Sequence, residues 1–351
     1  MGDIRELERA DLPAVMALLR ANLSGFSLTD DALAAATLED GWRDDELPSL
    51  VAVEDGAVIG FIRSQVRRMQ FDGRPIRGVC LSDLVVSPDH RKGAPGALLL
   101  GRMLSGPQDV TWSDSTTDMV VRAWRTFGGH VDHARAADFM LVLHPGTWIK
   151  QIVAARARRR DVGRSLMPVG ALPVHAAGRW VTGREAMARE PGFVGEDADA
   201  ATVAEELPAI SRRLRVGVEW DRAQLERAFE QVEALNGELT VRIVRRGKGA
   251  IGWYAALIRP AGTSRVLHLA APERAVDPVL GDLIDHASAA GSAVLSGRAE
   301  PHLEGPLRKR LAALGFAWQP VIRARDPELA AALSTGASLL TRLDGELSAV
   351  H

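Results

Sequence analysis

Cysteine and tyrosine each occur once in this 351-residue chain, as Cys80 and Tyr254. A lone thiol excludes an internal disulfide and a thiolate metal cluster, so nothing here requires an oxidising compartment. No histidine-rich cluster is present either, and no metal site is expected. Long apolar runs are missing: no stretch approaches the roughly 20 residues of a membrane span. Asp3, Glu6, Glu8 and Asp11 break up the first residues, unlike a secretion signal. Charge of one sign is also scarce, with 43 basic and 45 acidic side chains and a formal net charge of −2. A nucleic-acid binder would carry a basic face on a whole domain. These absences describe a cytoplasmic protein with neither membrane nor nucleic acid as partner.

The chain is 46% hydrophobic and 25% charged, an ordinary globular composition, and its length favours two domains. Helical spacing of Val15, Leu18, Leu19 and Leu23 follows Asp11, a candidate N-cap, and Pro13. Leu50–Val53 and Val58–Ile62 read as a hairpin across Glu54-Asp55-Gly56-Ala57, and Gly78–Val86 as a further strand. A helix follows from Gly96 to Leu104, then a strand at Val110–Ser113. A helix at Asp118–Phe127 ends at Gly128-Gly129, and one or two strands lie within Val131–Leu143. After residue 195 the same order recurs: an acidic helix entry, a hairpin (Leu239–Val244 with Ile251–Ile258), a strand at Val266–Ala270 and a helix at Val279–Ala290. A strand at Val294–Ser296 and a helix at Leu307–Leu314 complete it. The expectation is a tandem duplication: residues 1–145, a basic linker over 146–195 that opens with a helix, and a second unit over 196–351 with a closing tail.

The most informative stretch is Leu84–Leu100. A β-branched run ends at Pro88, a basic glycine-containing turn follows, and an apolar helix begins near Gly96. Unpaired amides and the positive end of the helix dipole meet at such a turn, which suits a phosphate. Arg91 and Lys92 add full charges.

With that order of elements, Val86-Ser87-Pro88 followed by Arg91-Lys92-Gly93-Ala94-Pro95-Gly96 resembles the GNAT (GCN5-related N-acetyltransferase) superfamily. The family turn is Arg/Gln-x-x-Gly-x-Gly/Ala. Here the leading Arg and last Gly are kept, Ala94 replaces the middle Gly, and Pro95 removes one amide. The second half resembles a degenerate GNAT unit, because its turn Pro272–Pro278 has no glycine and carries Glu273 and Asp277. The resemblance implies an α/β fold of two tandem units, each a mixed, mostly antiparallel sheet flanked by helices.

It also implies an N-acyltransferase in which a primary amine of a small molecule directly attacks the thioester of acetyl-CoA or a longer acyl-CoA. Leu84, Val85, Val86, Arg91, Lys92, Gly93, Ala94, Gly96, Ala97 and Trp124 would then lie along the donor, with the Val86 N–H on the thioester oxygen. Asp83, on the strand that parts from its neighbour, is the first candidate base. Ser113, Asp114 and Ser115 stand where acceptor and donor meet, although Ser-Asp-Ser is also ordinary helix-capping sequence. Trp124 occupies the position of the family's tyrosine acid; an indole N–H cannot supply a proton, and a core role is the plainer expectation. Cys80 sits in an apolar run and reads as a small buried hydrophobe. Two other functions fit: an acyl carrier protein docking on Arg156, Arg158, Arg159, Arg160 and Arg164, or a non-catalytic tandem scaffold. A monomer and a homodimer are both compatible with the tandem.

Overall fold

The structure is a computed structural model that describes residues 3–23, 29–91, 93–159, 192–211, 214–310, 312–316 and 319–346. Its first half runs β1 (Asp3–Glu6), α1 (Leu12–Asn22), α2 (Asp30–Thr37), β2 (Leu50–Glu54), β3 (Ala57–Phe71) and β4 (Arg74–Val86). α3 (Pro95–Leu104), β5 (Val110–Ser113), α4 (Asp118–Thr126), β6 (His130–Val131), β7 (Ala137–Val142) and α5 (Pro145–Arg159) follow. The second half runs β8 (Phe193–Asp197), α6 (Ala200–Ser211), β9 (Val216–Val218), α7 (Arg222–Asn236), β10 (Thr240–Arg246), β11 (Gly249–Leu257) and β12 (Thr263–Ala270). It closes with α8 (Val276–Ala289), β13 (Val294–Arg298), α9 (Glu304–Lys309), β14 (Ala313–Phe316), β15 (Val321–Ala324) and α10 (Pro327–Leu333).

Local chemistry accounts for the hairpins. Asp55-Gly56 and Asp72-Gly73 all adopt positive φ, the backbone a two-residue hairpin turn with right-handed strand twist demands. Asp11 precedes α1 as expected, but its carboxylate makes no cap; it binds the Glu8 N–H and Arg5. The helix expected at Leu307–Leu314 stops earlier. α9 ends at Lys309, and residues 313–316 form strand β14 on the edge of the second sheet. Hydrophobic spacing could not separate a helix end from a short edge strand there.

The duplication is present as two sheets, but each borrows a strand from the other half. The first has the order β1-β2-β3-β4-β5-β15-β6, and the second β14-β7-β13-β12-β11-β10-β8. β15 enters between β5 and β6, pairing Val321 with Ser113 and with Val131. β7 enters between β13 and β14, pairing Arg298 with Asp138 and Leu314 with Phe139. β9 also crosses, lying on β3 at Met69–Phe71. The sheets therefore do not divide at residue 145, where the sequence places a boundary. Of the basic segment, Arg160 and Arg164 lie outside the described residues, as do the side chains of Arg156, Arg158 and Arg159.

Apolar clusters lie on both faces of each sheet. A further cluster belongs to neither half: Met69, Phe71, Cys80 and Trp112 pack on Val216, Ile322, Leu329 and Leu340. The exchange predicts that residues 1–145 expressed alone, lacking β15 and that packing, melt without cooperativity, whereas the full chain melts cooperatively. Circular dichroism on both proteins checks it.

Candidate active site

β4 and β5 are parallel neighbours only from Gly78 to Cys80, opposite Val110 to Trp112. Beyond Cys80 the strands part. The cause is local: Asp83 has φ +54, and the β3–β4 register shifts beside it, so β4 bends away at a bulge. The Ser87 N–H bonds back to the Ile59 carbonyl on β3. Alternation along the strand then turns the Val86 N–H into the gap. Leu84 and Val86 are half-buried, while Val85 is buried in the core beneath α1.

The gap opens towards the first turn of α3. A Cβ on Gly96 would lie 3.2 Å from the Val86 side chain, so this glycine lets the helix start close against the strand. Gly96 and Ala97 present first-turn amides, whereas Pro95 has none. Ala94 is the residue before the helix, without a side-chain cap, and the Gly93 N–H is spent on the His90 carbonyl. Arg91 points back to Asn22 on α1 and to the Val86 carbonyl rather than out over the turn. Lys92 lies outside the described residues.

The sequence candidates meet different fates. Asp83 Oδ2 is ion-paired with Arg63 at 2.8 Å, so this carboxylate is not an unengaged group in the gap. Trp124, on α4, is 1% exposed and packs in the core between α3, α4 and the sheet, where a Cβ on Gly129 would lie 2.7 Å from its ring. Cys80 is fully buried; burial and the charges of Asp114 and Glu346 push its thiol well above the ordinary value, which suits an inert side chain. Among the described residues no group of three or more His, Cys, Asp or Glu side chains could hold a metal ion.

Ser113, Asp114 and Ser115 cap no helix. They receive a segment from the far end of the chain. Glu346 accepts hydrogen bonds from Ser113 Oγ (2.7 Å), the Asp114 N–H (3.0 Å) and Ser115 Oγ (2.7 Å), and its own N–H donates to Asp114 Oδ2 (2.8 Å). A Cβ on Gly345 would lie 1.8 Å from Asp114 Oδ2, so only glycine permits this approach. Asp114 Oδ1 is 2.5 Å from Arg298 Nη1 on β13, and Arg298 Nε is 2.7 Å from Glu300. Burial pushes the Asp114 carboxyl up, but the neighbouring Arg298 and Arg342 guanidiniums prevail and hold it below the usual range. Glu346 goes the other way: burial and the Asp114 charge raise it to about 7, against the donation from Ser113 and Ser115. The polar layer continues along β3, where Arg67 donates to the Asp344 carbonyl (2.9 Å) and to Gln65 (3.0 Å). Trp42 and Trp220, one from each half, pack together with centroids 5.2 Å apart, and the Arg67 guanidinium lies over both rings at 5.8 and 5.9 Å.

The second unit parts its strands in the same way, since β12 pairs with β13 only from Thr263 to Val266. Here the gap is filled by the protein itself. The Leu343 N–H donates to the Leu267 carbonyl (3.1 Å), and His268 Nδ1 meets Thr341 Oγ1 (2.8 Å). Burial drives His268 down to about 3, so it stays neutral against the Trp253 ring. In the first turn of α8, Asp277 is paired with Arg310 and Lys309, while Glu273, in the turn before the helix, is exposed.

Sequence reasoning gave no role to Arg298, Arg63, Trp42, Arg67 or Trp220. The closing Gly336–Glu346 segment stands out there only by its similarity to a tail of bacterial tandem GNAT proteins, with no role for Glu346, because the Asp114 amide it binds lies 232 positions away.

No protein-family model matches the chain, and no curated protein matches it. Solved structures do. A conserved protein of unknown function from Enterococcus faecalis V583, described as a probable N-acyltransferase, superposes with a TM-score of 0.60 at 12% identity, over 92% of this chain and 73% of that one. A GCN5-related N-acetyltransferase from Kribbella flavida gives 0.56 at 16%, over 92% and 71%. Another from Anabaena variabilis ATCC 29413 gives 0.58 at 8%, over 93% and 73%. The chain therefore has the GCN5-related N-acetyltransferase fold, built as two units of mixed, mostly antiparallel sheet flanked by helices.

Two outcomes follow from the buried charges. Arg298→Met removes the guanidinium that Asp114 and Glu300 share, leaving only Arg342 near the one and Arg135, 3.2 Å away, on the other, and costs about 3 kcal/mol in denaturant melts, part of which Asp114→Asn restores. Glu346 holds its proton in the folded state up to about pH 7, while the unfolded chain releases it near 4.5. Its contribution to stability is thus complete below pH 4.5 and is lost as pH rises towards 7. Glu346→Gln removes that loss, so its stability relative to wild type grows across this window by about 3 kcal/mol in melts at a series of pH values.

Proposed function

We propose that the first unit is a cytoplasmic N-acyltransferase that moves an acetyl or longer acyl group from a CoA thioester to a primary amine of a small molecule. The observation that carries this is the parting of β4 from β5 with the Val86 N–H turned into the gap beside the first turn of α3. That amide is a preorganised donor for the thioester oxygen as it gains charge in the transition state. The amides of Gly96 and Ala97 and the helix dipole suit the pyrophosphate. The likeness to solved acetyltransferases supports the reaction class.

The second unit lacks the same provision. Its gap holds residues 341–343, so one donor site per chain is proposed. It contributes to the first unit instead, through β15, Trp220 and the segment that ends at Glu346. An acyl carrier protein in place of CoA would rest on arginines whose side chains are not described, and no feature of the described residues favours it.

Acetyl-CoA is expected to raise the melting temperature of the full chain, and Arg91→Glu, which sets a carboxylate beside the α3 N-terminus, to weaken CoA binding at least about tenfold by calorimetry. A chain whose melting point and calorimetric trace ignore CoA is a non-catalytic scaffold.

A further inference from the structure

We propose that Glu346, delivered by the segment that crosses from the second unit, is the base that takes the proton from the acceptor ammonium in the first unit. The role rests on the acyl transfer proposed above. Its geometry is specific. The carboxylate is fixed at the end of β5, the strand that parts from β4, by two serine hydroxyls and a backbone amide, and it feels the charge of Asp83 on β4. A carboxylate offers about four acceptor positions, and these donors use three, which leaves one lone pair on Oε2 for an incoming N–H. The other carboxylates nearby are engaged: Asp83 with Arg63, and Asp114 with Arg298 and the Glu346 N–H.

The charges facing Glu346 tune it. Asp114 at the end of β5 and Asp83 on β4 oppose its ionisation, as does burial. Arg298 and Arg342 lie behind Asp114, whose charge they hold, and Arg67 from β3 grips the Asp344 carbonyl two residues away. The result is a carboxyl that changes state near neutrality, the range in which a general base works best.

The step balances. The ammonium gives one proton to Glu346, and the freed lone pair attacks the thioester carbon. The C–N bond forms and the C–S bond breaks. The nitrogen's second proton neutralises the departing thiolate, and the proton on Glu346 passes to solvent. The products are amide, free CoA thiol and one released proton.

The test compares full-length wild type, Glu346→Gln, Asp83→Asn and Ser113→Ala. Each is assayed for its acetyl-CoA melting shift and for CoA thiol release with a panel of primary amines across a pH series. Wild-type kcat/KM is expected to rise through an acid limb near pH 7. Glu346→Gln, nearly isosteric and able to keep the tail in place, is expected to retain the CoA shift, lose about 10²–10⁴-fold in kcat/KM and lose the limb. Ser113→Ala removes a donor to the charged form and moves the limb to higher pH. Asp83→Asn removes a charge that opposes ionisation of Glu346, so the limb persists but moves to lower pH. A Glu346→Gln protein with wild-type rate and limb, or a limb that vanishes in Asp83→Asn instead, overturns the assignment while acyl transfer stands. A wild type that shows no CoA shift, or turns over no amine, overturns acyl transfer and the base with it.

Discussion

Three strands leave their own halves, and the geometry of the junction depends on the exchange of two of them. β15 closes the first sheet between β5 and β6, and β7 closes the second between β13 and β14. Each sheet is left with an unfilled position if the other half is removed, and an open strand edge is a liability in water. The exchange sets β13 of one unit near β5 of the other. Arg298 can then reach Asp114, and the buried pair joins the units across a layer of otherwise costly charge.

Within that junction the last described segment has two tasks. At Thr341–Leu343 it fills the space between the parted strands of the second unit. Three residues later it reaches the parted strands of the first unit and adds a carboxylate there. One segment thus occupies one gap and furnishes the other, a division of labour that fits a duplicated chain whose second copy has lost its glycine turn.

The site was legible in part. The strand-turn-helix at Leu84–Leu100 is local, and its amides and helix start follow from contiguous residues; Gly96 and Val86 meet as that pattern implies. Asp83 was identifiable as a strand-end carboxylate, but its engagement with Arg63 depends on the β3–β4 register twenty residues apart. Ser113-Asp114-Ser115 was noticed, yet ordinary capping and amine recognition look alike in a tripeptide. Its actual partner is Glu346, brought there by tertiary structure alone. Trp124 behaved as its neighbours implied, since a tryptophan on the apolar face of a helix before Gly128-Gly129 packs inward.

By itself the sequence determined what short-range physics controls: two repeats of one element order, Asp-Gly hairpins with positive φ, an amide-lined turn in the first repeat and its absence from the second. These depend on backbone preferences and on spacing within a few residues. The tertiary structure decided which strand completes which sheet, which carboxylates are paired and where Glu346 goes. Hydrophobic periodicity says that a strand will be buried but not in whose sheet, because apolar residues such as Phe139 in β7 or Val321 in β15 carry no label of the strand they will pair with. A buried carboxyl takes its proton affinity from neighbours more than two hundred residues away in the chain.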